Sequence, residues 1–275
     1  MKPTLDPLFP IYQVDSFTDA PFRGNPAGVC ILMNHRPDNW MQKVAFEMNL
    51  SETAFFMQMN GRFRLRWFTP TTEVDLCGHA TLATAHVIWQ SEVVGPQEDL
   101  HFETRSGQLV ARREGEWIVL DFPVRPAVAA PVPEGMVSGL GATPISCWRG
   151  QDDYLIELAS EAEVKLLQPD FRALKAVKAR GIIVTAPSEN PEFDFVSRFF
   201  GPGVGVDEDP VTGSAHCTLA PFWQGRLGKT AMTGYQASER GGVVKVELRD
   251  DRVWLKGKAI TVLQGVLSSA GTRVE

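Results

Sequence analysis

Two short segments place acid–base and hydrogen-bonding side chains beside a glycine that heads an apolar run. They are Cys77-Gly78-His79-Ala80-Thr81 and Asp209-Pro210-Val211-Thr212-Gly213-Ser214-Ala215. The charge-free runs that hold these glycines, Leu76–Ser91 and Pro210–Gly225, are each 16 residues long. A helix that starts at such a glycine exposes several N–H groups without carbonyl partners and carries about half a positive charge. With no side chain on the leading residue, a ligand can come close to the backbone. The ligand such an end suits is a small carboxylate. Singly, each glycine reads as a tight turn into a helix; as a matched pair, they read as two carboxylate-binding ends facing one cleft. His79, at a helix start, is expected to have a depressed pKa and to act as a neutral donor or acceptor. His86, seven positions on, is off metal-ligand spacing and reads as a core residue. The acidic run Asp207-Glu208-Asp209 lacks the later ligands of a calcium loop and reads equally as a solvated turn. Glu52 is a lone carboxylate in Asn49-Leu50-Ser51-Glu52-Thr53, and spacing alone gives it no role.

The elements that must position these groups come in two copies. Phe63, Arg66, Phe68, Pro70, Val74 and Asp75 reappear as Phe195, Arg198, Phe200, Pro202, Val206 and Asp207, all 132 positions on. After a three-residue insertion, Gly78-His79-Ala80 faces Gly213-Ser214-Ala215 at an offset of 135. An offset near half the length implies two similar domains rather than a solenoid, whose period is roughly 20–50 residues. Pro123, Pro126, Pro131 and Pro133 mark a linker at 123–133. The expected halves are 1–124, to which a C-terminal strand at 265–275 can be added, and 132–264.

Strand signals dominate each half. Glu52–Met59 and Arg62–Thr69 are joined by the hairpin turn Asn60-Gly61. Further strands are expected at Ile11–Phe17, Gly28–Met33, His101–Arg105, Gln108–Arg113, Trp117–Phe122, Tyr154–Leu158, Gly181–Thr185, Phe193–Phe200, Gly242–Arg249, Arg252–Lys256 and Ala259–Gln264. Asp38–Met48 reads as an amphipathic helix behind Pro37. Ala80–Trp89 is apolar nearly all round, which predicts a helix buried on every side with a sheet curled around it. Ala215–Trp223 is its expected counterpart, kinked or cut short at Pro221.

The chain has 275 residues, 27 basic and 33 acidic side chains, a formal net charge of −6 and 44% hydrophobic residues. That balance argues against a nucleic-acid or anionic-membrane binder, and no stretch approaches the roughly 18 apolar residues of a membrane span. Cys30, Cys77, Cys147 and Cys217 lie too far apart for a zinc knuckle or a C-x-x-C pair. The expectation is a soluble cytoplasmic protein with reduced thiols. Nothing in the residues calls for a metal or a nucleotide, since Walker, zincin and G-x-S-x-G motifs are absent.

Taken together, five motifs resemble the phenazine-biosynthesis PhzF-like isomerases. They are Arg23-Gly24-Asn25-Pro26-Ala27-Gly28-Val29, Met48-Asn49-Leu50-Ser51-Glu52-Thr53, Phe68-Thr69-Pro70, Cys77-Gly78-His79-Ala80-Thr81 and Asp207-Glu208-Asp209-Pro210-Val211-Thr212-Gly213-Ser214-Ala215. The resemblance runs from about residue 10 to the C-terminal strand. It implies an α+β, diaminopimelate-epimerase-like fold: two β-barrel-like halves, each wrapped around a helix, with the site between them. It also implies a cofactor-independent isomerase, typically a homodimer, that moves a proton on a small carboxylate substrate. Carried over residue by residue, the catalytic Glu falls on Glu52, the substrate-contacting Gly-His pair on Gly78 and His79, and the Asp, Gly and Ser on Asp209, Gly213 and Ser214. Glu52 is then the general acid/base, with a pKa raised by partial burial, and His79 and Asp209 orient the substrate or share the proton.

Other chemistries fit the same residues. A two-thiol racemase needs a Cys before each helix-leading Gly; Cys77 precedes Gly78, but Thr212 precedes Gly213, and Cys217 falls about a turn inside the second helix. A non-catalytic carboxylate-binding protein of the same fold and a pure interaction protein complete the alternatives. Substrate and pathway are not encoded in these motifs.

Overall fold

The structure, a computed structural model, describes residues 9–268. The described chain divides into two compact units, residues 9–120 with 257–268, and residues 121–256.

In the first unit, Ala259–Leu267, Phe9–Ser16 and Asn25–Ile31 pair antiparallel in that order. Asn25–Ile31 then runs parallel to Glu52–Met59, which pairs antiparallel with Arg62–Phe68. Arg62–Phe68 runs parallel to Leu100–Thr104, and the antiparallel strands Gly107–Glu114 and Trp117–Pro123 follow. The hairpin at Asn60-Gly61 has positive φ at both residues, 50° and 77°, the backbone that a two-residue turn between twisted strands demands. The helix Gly78–Gln90 lies within this sheet, buried from His79 to Ala85 and from Val87 to Trp89. A second helix, Asp38–Met48, covers the outer face, seating Trp40, Met41, Val44 and Ala45 among Phe9, Phe55 and Phe68.

The second unit repeats this order from Phe9–Ser16 onward, with the two-residue strand Val128–Ala129 in the place of Ala259–Leu267. Ser146–Arg149 pairs antiparallel with Asp153–Glu157, which runs parallel to Gly181–Pro187. Gly181–Pro187 pairs antiparallel with Phe195–Phe200, which runs parallel to Ala231–Gln236, and the antiparallel strands Gly242–Arg249 and Arg252–Gly257 follow. The helix Gly213–Leu227 takes the place of Gly78–Gln90. The sequence repeat reflects a reused ion pair. The guanidinium of Arg66 meets Glu73 through two bonds of 2.7 Å, and that of Arg198 meets Glu208 at 2.7 and 2.8 Å. Each guanidinium also lies over the aromatic ring two residues on, Phe68 at 5.1 Å and Phe200 at 4.9 Å. A bidentate fork over a ring fixes Arg and Phe at both positions, because Lys lacks the planar fork.

Three expectations differ from the structure. Pro221 does not cut the helix short, for the helix continues to Leu227. The carbonyl of Cys217, which loses its helical N–H partner to the proline, accepts instead from the Arg125 backbone N–H at 3.0 Å. The strands Ser146–Arg149 and Ala231–Gln236 lie outside the strands expected from the sequence. Finally, Ala259–Leu267 pairs along the whole of Phe9–Ser16, so the chain returns to the first unit at residue 257 rather than at 265. The first division falls at 120/121, ahead of the proline-rich segment 123–133. Of the stretch 265–275, residues 269–275 lie outside the described residues.

Candidate active site

In the first unit, parallel pairing sets Glu52 beside Ala27, at the end of its strand nearest the start of the Gly78 helix. Its Oε2 lies 3.2 Å from Nε2 of His79, and the two side chains are 19% and 6% exposed. Ser51 Oγ approaches the same nitrogen at 3.4 Å and lies 3.2 Å from both Asn25 Oδ1 and the Pro26 carbonyl. On the other edge of the ring, Cys77 Sγ lies 3.5 Å from Nδ1. The buried Ser16 hydroxyl donates to the His79 carbonyl at 2.8 Å and so pins the first turn of the helix to the sheet.

Burial pushes His79 down to about 3, so the imidazole is neutral at ordinary pH. The direction expected from the sequence holds, with burial rather than the helix end as its cause. A neutral ring carries one N–H. Assigned from its partners, that hydrogen sits on Nε2, which bonds Ser51 Oγ and lies beside the Glu52 carboxylate, leaving Nδ1 to accept from the Cys77 thiol. Glu52, Cys77 and His79 offer three metal-ligand atoms within 4.8 Å of one another. Their contacts nevertheless use opposite edges of the ring, an arrangement suited to passing a proton rather than to gripping one ion.

Gly78 opens its helix after an extended Cys77, and no side chain caps that end. The leading N–H groups therefore keep their donor capacity beside Glu52 and His79.

In the second unit, Gly213 opens its helix after Thr212, again with no side-chain cap. Thr212 Oγ1 instead donates to Asp209 Oδ2 at 2.5 Å. The buried Gln236 locks this turn, accepting from the Thr212 N–H at 2.8 Å and donating to the Asp209 carbonyl at 2.7 Å. The acidic run separates into different roles: Asp207 is exposed, Glu208 pairs with Arg198, and Asp209 faces the helix start. Ser214 Oγ accepts from Arg180 Nη1 at 3.1 Å, and Arg180 forms a two-armed pair with the buried Asp153. Cys217 is wholly buried, its thiol pushed up to about 12, and it points at the Gly213 carbonyl within its own helix.

The structure thus brings Glu52, Gly78 and His79 together in one unit, and Asp209, Gly213 and Ser214 together in the other. Sequence reasoning missed Arg180, Asp153 and Gln236. Register shows what signal was there. The pairs Phe55–Arg66 and Val184–Arg198 make Phe55 the counterpart of Val184, so Ser51 and Glu52 correspond to Arg180 and Gly181. The acid thus has no twin. At Gly181 a Cβ would lie 2.0 Å from the tip of the Phe199 ring, which fills that space. Gly181→Ala is accordingly expected to cost about 1–3 kcal/mol of unfolding free energy through overpacking. Urea titration checks this, and an unchanged midpoint would show that Phe199 yields freely.

The family described as phenazine biosynthesis-like protein, PhzC-PhzF, matches residues 14–265. An uncharacterized isomerase of Halalkalibacterium halodurans is 53% identical over 94% of this chain and 98% of its own. Another, from Pseudomonas aeruginosa, is 49% identical over the same shares. The crystal structure of a PhzF-family protein from Enterococcus faecalis superimposes with a TM-score of 0.91 at 41% identity, covering 95% of this chain and 100% of that one. More distant epimerase and racemase structures, 19% and 11% identical, share the fold alone. Among the described residues, no helix is long and apolar enough to cross a membrane.

Proposed function

The chain belongs to the phenazine biosynthesis-like PhzC-PhzF family, of diaminopimelate-epimerase-like fold, and is an isomerase-type enzyme; from that premise we propose that it moves a proton between two atoms of a small carboxylate substrate, with Glu52 as acid and base. The observation that carries this reading is the half-buried Glu52 carboxylate, 3.2 Å from a neutral His79 at an uncapped helix start. The carboxylate takes a proton from carbon, and the electron pair of the broken C–H bond moves into the adjoining unsaturated system. The carboxyl proton exchanges with solvent, and a proton is then delivered from Glu52 to another atom of the substrate, so nothing is oxidised or reduced. His79, with Nε2 3.2 Å from the carboxylate, favours the ionised form of Glu52 that must be present before the proton is taken and is restored once it is delivered. The leading N–H groups at Gly78 and at Gly213-Ser214 suit the substrate carboxylate and the negative charge that develops on it. Asp209, held by Thr212 and Gln236, is an acceptor for a substrate hydroxyl or ammonium group.

The test is incubation with a panel of small unsaturated and hydroxylated acids in deuterium oxide, read by proton NMR. Deuterium is expected at carbon in at least one of them. Binding without exchange in any would favour a carboxylate-binding protein instead.

The contact between Cys77 and His79 supports one second reading, a racemase-type enzyme that uses this thiol. Against it stand Thr212 at the corresponding place in the other unit and the inert, buried Cys217. Cys77→Ala is expected to keep deuterium incorporation within about tenfold of wild type, since one side of general acid–base catalysis is worth 10²–10⁴. A loss of a thousandfold or more would move the chemistry from Glu52 to the thiol.

A further inference from the structure

The two units hold the same backbone but different chemistry at one pair of positions. Where the first unit has Ser51 against His79, the second has Arg180 against Ser214. Arg180 is fixed from four directions. Asp153 takes both Nε and Nη2, the backbone N–H bonds to the Asp152 carbonyl at 2.9 Å, the guanidinium lies 5.6 Å over the Phe199 ring, and Nη1 reaches Ser214. Burial works against its charge, but the bonds and charge of Asp153, with Asp152 and Asp209 nearby, outweigh it and hold Arg180 cationic. This is a costly arrangement for a structural strut, because the Asp153 carboxylate is 6% exposed and must be paired wherever it goes.

The consequence falls on Ser214. A serine hydroxyl has one hydrogen and two lone pairs. With a guanidinium N–H occupying one lone pair, the hydrogen is directed away from Arg180 and is set to donate to an acceptor that lies beyond it. We infer that Arg180, braced by Asp153, is a positioning residue that makes Ser214 a committed hydrogen-bond donor to an anionic group of the ligand. The inference rests on the reading of Ser214 as a substrate contact and extends it to the charge that group must carry. A carboxylate gains from the oriented O–H and from the Gly213 and Ser214 N–H groups; an amide or ester of the same shape loses most of this. The first unit, with a neutral serine in the equivalent place and a carboxylate next to it, is built for the proton rather than the anion.

The experiment uses the full chain labelled with nitrogen-15 and titrated with sodium oxalate, with chloride as the ionic-strength control. The amide signals of Gly213 and Ser214 are followed. Wild type is expected to shift saturably with oxalate and not with chloride. Arg180→Met should weaken oxalate binding at least about tenfold, and Ser214→Ala by a similar factor. Because Arg180 acts through the hydroxyl, the double variant should be no weaker than the worse single variant, a non-additivity that a merely structural role would not give. Arg180→Met leaves Asp153 buried without its countercharge, so the series is repeated with Asp153→Asn, which removes that charge and keeps the shape. Arg180→Lys, which retains charge but not the fork, should recover only part of the affinity. The inference is overturned if the two single effects add, if Arg180→Met binds oxalate within twofold of wild type, or if oxalate moves neither signal. Oxalate binding involves no proton transfer, so these outcomes are separate from failure of the Glu52 mechanism.

Discussion

Glu52→Gln is expected to incorporate solvent deuterium about a thousandfold more slowly than wild type while binding carboxylates as well. Glutamine is nearly isosteric with glutamate and can occupy the same place beside His79 Nε2, 3.2 Å from the Glu52 carboxylate. The helix start and its contacts therefore survive. What is lost is the only function that glutamine cannot supply, a site that accepts a proton from carbon and gives it back. A thousandfold corresponds to about 4 kcal/mol of transition-state stabilisation, in the middle of the range for one acid–base group. Glu52→Asp is the companion variant. It keeps the carboxylate but draws it back by one methylene, and misplacement on that scale costs about a hundredfold. The order wild type, Asp, Gln separates loss of the proton carrier from loss of packing, because the better-fitting variant is the worse catalyst. Exchange by Glu52→Gln within tenfold of wild type would remove Glu52 from the mechanism.

How much of this site could be read beforehand follows from how local each constraint is. The strand Glu52–Met59, the strand Gly242–Arg249 and the helix Asp38–Met48 have the bounds their patterns predict, because apolar periodicity and a turn or a proline set them locally. The repeat was legible because a guanidinium that must reach a carboxylate and cover a ring tolerates no substitute, at Arg66 and at Arg198 alike. Gly78 and Gly213 were legible because an apolar run starts at each. Glu52 was not, since its partner His79 stands on a different element and only the parallel register beside Ala27 brings the two together. It was found through family resemblance. Arg180 escaped both routes, as its partners Asp153 and Ser214 come from a neighbouring strand and a later helix. The survival of the helix past Pro221 depends on a single N–H from Arg125, which no local pattern around the proline encodes. Ala231–Gln236 has few β-branched residues and a glycine at Gly234, where the Phe195 ring leaves no room for a Cβ. Its strand is imposed by its neighbours.

The second large effect is on stability. Lowering the pH from about 8 to about 5 is expected to remove about 6 kcal/mol of unfolding free energy, with the buried histidines His79, His86 and His216 as the cause. Burial holds His79 at about 3, and His86 and His216 at about 4, in the folded chain, whereas all three return to about 6.5 when it unfolds. A folded value below the unfolded one means that the unfolded state binds more protons, so stability is full above pH 6.5 and drains as the pH falls below it. At about 1.4 kcal/mol per unit, each histidine contributes about 2 kcal/mol to the loss at pH 5, and the loss levels off only near the folded values. The carboxylates of Glu157, Glu161 and Glu247 are held below their usual range by ion pairs and titrate lower. The upper part of the acid limb therefore belongs to the histidines. The repeat supplies the control. His216 Nδ1 bonds to the carbonyl of Thr212, four residues back, at 2.9 Å; at the equivalent place in the other helix, Thr81 Oγ1 bonds to the carbonyl of Cys77 at 2.6 Å. His216→Thr therefore keeps this bond and removes the titration. It leaves a cavity that lowers stability equally at every pH, while the difference between pH 8 and pH 5 should shrink by about 2 kcal/mol. Urea unfolding at the two pH values measures both quantities. Equal pH dependence in wild type and His216→Thr would mean that the His216 ring is not held neutral in the fold.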